Sequence, residues 1–223
     1  MSSYYTEKLS AGRLKLCYDL APPAVQSYLA AEIEHVRRRI PAGSRVLELG
    51  CGYGRALKEL APTRGSLVGI DTSMDSLRMA RSYLAGATGV VLAAMDAVRL
   101  AFARESFDLV FCIQNGVSAF HVDPCALFEN AVGVARRGGK VLFSSYAAEF
   151  WEDRLAWFRI QAAHGLVGEL DERATGNGVI VCRDGFTATT LSPAELRASA
   201  RGLGSDVVVE TVGGSSVFCE ITV

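Results

Sequence analysis

The chain has 223 residues and a formal net charge of −1, with half of its residues hydrophobic and 21% charged. This composition is ordinary for one soluble globular domain with a sizeable core. A nucleic-acid-binding domain is usually basic, and the one basic run, 37–39, lies on an amphipathic helix. No apolar run approaches the about 18–20 residues of a membrane span. We therefore expect no nucleic-acid partner and no membrane partner.

Six cysteines are spread along the chain, and no two stand close enough for a C-x-x-C metal or redox motif. We therefore expect the cysteines to be small buried hydrophobic residues of a protein in a reducing compartment, and we expect no metal site. The N-terminus lacks the basic-then-apolar pattern of a secretory signal. These features predict a cytoplasmic protein.

Residues 1–43 are predicted to be helical. Pro22-Pro23 introduces a helix with one apolar face, and Pro41 ends it. A weaker helical pattern covers roughly 6–20 further upstream.

The next segment alternates strands and helices. Apolar runs stand at 46–49, 68–71, 90–96, 107–113 and 139–144. Between them, Thr72 with Asp75 is typical of a capping box, and Asp123-Pro124 of a cap with a first-turn proline. We expect the helix that follows Asp123-Pro124 to end at 136–138.

The last third of the chain no longer alternates strands and helices. An aromatic-rich helix is predicted over 149–164, and hairpin turns at Asn177-Gly178 and Asp184-Gly185. Residues 192–195, Ser-Pro-Ala-Glu, open a further helix with cap, proline and capping-box glutamate. Two strands, 206–212 and 216–223, complete the chain.

The most informative motif is Glu48-Leu49-Gly50-Cys51-Gly52-Tyr53-Gly54, directly after the first strand. The dinucleotide pattern G-x-G-x-x-G requires a third glycine where this chain has Arg55. Glu48 would repel a pyrophosphate and suits a cationic ligand. The second and third strands also end in acids, Asp71 and Asp96.

E-x-G-x-G-x-G resembles the first motif of class I S-adenosylmethionine-dependent methyltransferases. The likeness continues in order over 45–146: an acid after the third strand at Asp96, Phe-Asp-hydrophobic at 107–110, and Gly-Gly-Lys-Val at 138–141. It implies an α/β, Rossmann-like fold with a seven-stranded, mostly parallel sheet and helices on both faces. Residues 1–223 are then one domain, with an N-terminal helical cap (1–43), a cofactor-binding core (45–146) and a β insertion (165–191).

The resemblance also implies how S-adenosylmethionine is held. Asp71 is expected to bind the ribose diol and Asp96 the adenine amine, and the methyl group should emerge where the fourth strand ends. The expected cofactor residues are Glu48, Gly50, Cys51, Gly52, Gly54, Asp71, Thr72, Met95, Asp96, Ala97, Ile113 and Gln114.

The acceptor is predicted to be a small molecule. Methyltransferases of DNA bases or protein glutamines carry an Asn/Asp-Pro-Pro-aromatic motif after the fourth strand, and this chain has none. Asn115 and His121 are the catalytic candidates, and His121 could act as a general base. Acceptor-pocket candidates are Tyr4, Tyr5, Arg13, Tyr18 and Trp151.

Methyl transfer needs mainly proximity and in-line alignment, so no universal catalytic residue is expected. Two alternatives stay open. One is an NAD-dependent oxidoreductase, against which Arg55 argues. The other is a non-catalytic regulator that keeps the cofactor fold. The acceptor atom and the oligomeric state are not encoded in any motif.

Overall fold

The computed structural model describes residues 4–61 and 65–223, without the side chain of Thr6. Its helices are α1 Tyr4–Glu7, α2 Ala11–Asp19, α3 Pro23–Arg37, α4 Arg55–Leu60, α5 Met74–Tyr83, α6 Gly116–Ala119, α7 Pro124–Val134, α8 Trp151–Ala163 and α9 Pro193–Ser199. A 3₁₀ turn, Ala148–Phe150, leads into α8. Among the helices described, none is both long and apolar enough to cross a membrane.

One seven-stranded sheet organises the molecule. The strands are β1 Arg45–Leu49, β2 Ser66–Asp71, β3 Val90–Ala94, β4 Phe107–Cys112, β5 Ala135–Tyr146, β6 Ile180–Val181, β7 Thr187–Ala188, β8 Asp206–Val212 and β9 Ser216–Thr222. The sheet order is β3-β2-β1-β4-β5-β9-β8, and β6 and β7 form a separate hairpin. Strands β1 to β5 pair in parallel, whereas β9 is antiparallel to both neighbours. The predicted fold class is confirmed.

The strand order places the site. The chain moves from β1 outward through β2 to β3 and then returns to the other side of β1 with β4. At such a switch point the connections diverge, and a crevice opens beyond the carboxyl ends of the strands. The glycine motif follows β1, Asp71 ends β2, and Ile113 follows β4, so all three meet at this edge.

Local capping follows the sequence closely, with one shift. Ser192 and Glu195 form the predicted capping box of α9, and the Asp123 side chain accepts from the Cys125 N–H at the start of α7. The predicted Thr72 cap is wrong by one residue. Ser73 caps α5 instead, because its side chain accepts from the Ser76 N–H.

The helix predicted to reach 136–138 ends earlier. Helix α7 stops at Val134, and β5 begins at Ala135, which pairs with Phe107. The register then shifts between Phe107 and Leu109. The extra residues are taken up as a bulge-like irregularity, so a strand occupies the positions where the sequence indicated the end of a helix.

Both faces of the sheet are covered by buried apolar clusters. On one face the helical residues come from α7 and α9, including Leu127, Phe128, Ala131 and Leu196. On the other face they come from α3, α4 and α5, including Ile33, Leu57, Leu60 and Leu77. Burial on both faces explains why β1 and β4 read as continuous apolar runs.

A third cluster, here called the cap core, lies at the carboxyl edge of the sheet. It joins the N-terminal helices, the end of β5, α8 and the segment 166–188. Its members are Leu9, Cys17, Ala21, Val25, Tyr28, Leu29, Tyr146, Phe150, Leu155, Trp157, Phe158, Leu166, Val167, Leu170, Ile180, Cys182, Phe186 and Ala188. In place of one helix over 6–20, two short helices contribute to it.

Candidate active site

Residues 50–54, here called the glycine loop, turn sharply after β1. Gly50, Gly52 and Gly54 have φ values of +73°, +53° and +87°. Residues with a side chain rarely adopt this left-handed region of backbone conformation, so these three positions require glycine. Gly54 also faces α5, since a Cβ there would lie 2.8 Å from Leu84 Cδ1.

Two side chains cover the loop. A Cβ on Gly50 would lie 2.8 Å from the Phe120 ring, and one on Gly52 would lie 3.0 Å from Leu14 Cδ2. Leu14 belongs to α2, whose first residue, Ala11, donates its N–H to Ser76 Oγ at 3.0 Å. The N-terminal segment therefore lies directly over the glycine loop.

Asp71 braces this loop from the end of β2. Its Oδ2 accepts from the Gly52 N–H and its Oδ1 from the Ser73 N–H, both at 2.8 Å. Burial raises the pKa of Asp71, and these bonds oppose the rise. Each carboxylate oxygen has a second lone pair, so the group can still accept from a diol.

The predicted adenine side of the site is more open. Asp96 is exposed, and its Oδ1 accepts from the Val98 N–H at 3.0 Å. Met95 is half-buried, Ala97 is buried against the sheet, and Thr72 is exposed beside Asp71. This half of the site leaves Asp96 accessible to a ligand.

Glu48 and Arg55 are the least satisfied polar groups at the loop. Within the described part of the chain, Glu48 Oε2 is buried and has no hydrogen-bond partner, and the same holds for Nε and Nη2 of Arg55. Burial raises the pKa of Glu48 to about 8; the nearby Arg55 opposes the rise and Asp71 adds to it. An acid and a base with unused polar atoms suit a ligand that carries both charges.

Two predicted cofactor residues point elsewhere with their side chains. Cys51 Sγ would lie 2.9 Å from a Cβ on Gly69, inside the sheet, and Ile113 is buried in the cluster with α3 and α4. Their side chains therefore pack in the interior rather than at the crevice. Their assignment as cofactor residues stays a prediction.

The end of β4 is strained. Gln114 and Asn115 have φ values of +59° and +58°, which is costly for residues with side chains. Both ends of the Asn115 amide are engaged: Nδ2 donates to Thr189 O at 2.8 Å, and Oδ1 accepts from Ser145 Oγ at 2.9 Å. Asn115 therefore fixes the strand end, and its catalytic role stays a prediction.

Glu32 is a site residue that sequence reasoning missed. It is fully buried on α3, and its carboxylate accepts from the Gln114 N–H at 2.6 Å and from Ser216 Oγ at 2.8 Å. Burial raises its pKa to about 7, against the effect of these bonds. The available signal was an acid next to Ile33 on the apolar face of the helix.

His121, the candidate base, is exposed in the loop between α6 and α7. Its φ of +50° again lies in the region that favours glycine. His121 directly follows Phe120 in the sequence, and the Phe120 ring covers Gly50. His121 is therefore adjacent in sequence to a residue that lies at the glycine loop, and its role as base stays a prediction.

Tyr4 and Arg13 attach the N-terminal helices to the segment 165–184. Tyr4 donates its hydroxyl to Asp184 Oδ2 at 2.5 Å, and Arg13 donates to the carbonyls of Gly165 and Leu166. Both predicted acceptor-pocket residues thus act in these contacts as braces between segments about 150–180 residues apart in sequence.

The other three candidates line the interior of this region. Tyr5 packs edge-on against Phe186, Tyr18 lies near Trp157, and Trp151 lies near Arg154. Tyr5, Tyr18 and Trp151 are each half-buried, so they can present ring surface to a ligand.

A groove of about 580 Å³ opens beside the glycine loop. Helices α2, α3, α4 and α5 line it, with Tyr18, Tyr53 and Arg55 on its walls. The Arg55 guanidinium lies 4.8 Å from the centre of the Tyr18 ring. Arg55 can therefore be reached from this side.

Comparisons with known proteins agree with this geometry. Residues 46–139 match the family described as methyltransferase domain. The malonyl-[acyl-carrier protein] O-methyltransferase of Methylococcus capsulatus is 34% identical over 137 residues, covering 58% of this chain and 46% of that protein. The ubiquinone biosynthesis O-methyltransferase of Ralstonia nicotianae is 34% identical over 107 residues, covering 47% and 44%.

A solved structure shares the whole fold. The SAM-dependent methyltransferase from Aquifex aeolicus has a TM-score of 0.63 at 17% identity, covering 96% of this chain and 100% of that one. At this identity the likeness concerns the fold alone. The chain spans about half the length of the curated relatives it matches.

Proposed function

We propose that this chain transfers a methyl group from S-adenosylmethionine to a small-molecule acceptor, because residues 46–139 match a methyltransferase domain and the curated relatives are named methyltransferases. The observation that carries the proposal is the set of acids around the glycine loop. Glu48 has an unused buried oxygen, Asp71 braces the loop, and Asp96 is accessible at the next strand.

The residues present fit this cofactor. Glu48 and Arg55 would receive its ammonium and carboxylate, Asp71 its ribose diol and Asp96 its adenine amine. When bound, S-adenosylmethionine supplies an activated methyl group. The chain itself has to align the acceptor, exclude water and, for a hydroxyl acceptor, remove a proton.

We assign these tasks to the carboxyl end of β4 and to the segments around it. Glu32 and Asn115 fix the strained backbone at Gln114, which keeps the acceptor side rigid. Residues 1–43 and 165–191, as cap and insertion of a single domain 1–223, would cover the site. His121 is proposed as the base. The O-methyltransferase names of the two curated relatives favour an oxygen acceptor.

Calorimetry with S-adenosylhomocysteine and NADH tests the cofactor. We expect binding of the first and none of the second; NADH binding alone would favour the oxidoreductase. Methyl-labelled S-adenosylmethionine in a small-molecule extract then tests catalysis by mass spectrometry. Cofactor binding without any labelled product would favour the non-catalytic regulator.

A further inference from the structure

The cap core contains a buried positive charge. Arg154 of α8 is 1% exposed. Its Nη1 donates to Gly178 O at 2.8 Å and its Nη2 to Ala188 O at 2.9 Å. A guanidinium has five N–H groups, so these contacts leave donors unused. Its Nε in particular is buried and finds no hydrogen-bond partner among the residues that the structure describes.

Aromatic rings surround this charge. The guanidinium carbon lies 4.6 Å from the ring centre of Tyr146, 5.6 Å from that of Phe158 and 5.8 Å from that of Trp151. Within the described residues, the ionisable groups that act on its charge are tyrosines, and none is a carboxylate. Ring faces attract a cation without neutralising it. A buried charge normally requires a counter-ion.

Arg154 lies close to the end of β4. Tyr146, which contacts its guanidinium, directly follows Ser145, and Ser145 Oγ donates to Asn115. The Tyr146 ring also stacks on Tyr28 at 4.9 Å, one helical turn before Glu32. Tyr146 therefore links the unpaired charge, through Ser145 and Asn115, to the strand end at which the methyl group is expected.

We propose that Arg154 selects the acceptor, and that the acceptor is an aromatic carboxylic acid. Its carboxylate pairs with Arg154, and its ring packs beside the half-buried Trp151 with the methyl-accepting atom towards Gln114. A guanidinium matches a carboxylate in shape and charge, and flat rings pack favourably on aromatic walls. This inference rests on the proposed methyl transfer.

The competing interpretation is that Arg154 only clamps residues 178 and 188 onto α8. The two interpretations differ in ligand preference. A clamp is indifferent to ligand charge, whereas a counter-ion site discriminates an acid from its neutral amide of the same shape.

The first test uses the unaltered protein saturated with S-adenosylhomocysteine. Calorimetry compares 4-hydroxybenzoate, 4-hydroxyphenylacetate and 4-coumarate with their three carboxamides. We expect at least one acid to bind ten or more times as tightly as its amide. Equal affinities within every pair, or no binding of any acid, would overturn the proposal.

Variants then locate the preference. In Arg154→Met the acid should lose its advantage, and Arg154→Lys should retain part of it. Arg159→Met is the matched control, because Arg159 lies on the same helix but is exposed and paired with Glu172. If Arg154→Met folds and still prefers the acid, the proposal is wrong. If it does not fold, the ligand pairs and Arg154→Lys decide.

Failure of the inference is distinguishable from failure of the proposed function. S-adenosylhomocysteine binding is measured before any acceptor is added. A protein that binds it yet treats acids and amides alike contradicts only the role of Arg154. A protein that does not bind it contradicts the methyltransferase proposal itself.

Discussion

The sheet and the cap core are both buried, yet different contacts hold them. On the sheet, Phe128 and Phe143 stack face to face at 3.8 Å among aliphatic side chains. In the cap core, Trp157 Nε1 donates to Cys17 O, and Arg154 donates to two carbonyls of the segment 166–188. The clusters on the two faces of the sheet consist of apolar packing, whereas in the cap core buried side chains also donate hydrogen bonds to distant backbone carbonyls.

This difference suggests a division of labour. The sheet presents a fixed edge with Glu48, Asp71 and Gln114, which suits a cofactor common to a whole family. The cap core brings tyrosines and an arginine to the same edge from segments far apart in sequence. Such segments can vary without disturbing the sheet, and that is where acceptor specificity is expected to reside.

The largest expected effect separates the two regions by truncation. Phe128→Ala removes a stacked ring from the sheet and should cost about 3–5 kcal/mol of unfolding free energy. Phe186→Ala removes an equally buried ring that contacts Tyr4 and Tyr5. We expect its hydrogen-exchange effect to concentrate in α1, α2 and 166–188. Equal loss of protection on β1 and β4 would abolish the distinction.

Much of the sheet could be predicted because its signals are local. Apolar runs, the glycine motif and capping residues all act over a few positions, and Ser192 with Glu195 behaves as its spacing indicates. The start of β5 could not be read in this way. Its first residue pairs with Phe107 through a register shift, which depends on a partner 28 positions away (135 minus 107).

The cap core resisted prediction for a physical reason. Arg154 reads as one more charge on a mixed helix, and its partners are 24 and 34 positions away. Asn115 similarly bonds residues 30 and 74 positions away, which made it resemble a free catalytic amide. Contacts of this kind leave no periodicity in the sequence.

The next largest effect tests whether Asp71, at the edge of the sheet, binds the ribose of the cofactor. Asp71→Ala removes acceptors worth about 1.5–3 kcal/mol in charge-assisted bonds. We expect about ten- to a hundredfold weaker binding of S-adenosylhomocysteine by calorimetry. The melting temperature should fall as well, because Asp71 braces Gly52 and Ser73. Asp75→Ala is the control, since Asp75 is 71% exposed. Unchanged affinity would contradict the ribose assignment.

A smaller effect tests the contact between the two regions. Gly52→Ala places a side chain in left-handed backbone, which costs about 1–2 kcal/mol, and brings it against Leu14. In a Leu14→Ala background that collision is relieved. The two changes should therefore be coupled by about 0.5 kcal/mol or more in chemical denaturation. Strict additivity would mean that α2 does not rest on the glycine loop in solution.

The last prediction concerns the pH dependence that Glu48 gives to stability and to cofactor binding. Burial raises its pKa in the folded protein from an ordinary 4.5 to about 8. The folded state therefore holds a proton that the unfolded state has released. Through this group, stability is fully present below pH 4.5 and declines as pH rises towards 8, by at most about 1.4 kcal/mol per pH unit.

Cofactor binding should respond in the opposite direction. The ammonium of S-adenosylhomocysteine favours the ionised carboxylate, so binding expels the proton from Glu48 below pH 8. Affinity should then rise between pH 6 and 8, by at most about tenfold per unit, and level off above 8. Calorimetry at four pH values measures the slope. Glu48→Gln cannot ionise and should flatten it while retaining the titration of the ligand itself. An equal slope in both proteins would mean that the ammonium does not lie against Glu48, and that the sheet edge holds this end of the cofactor by other groups.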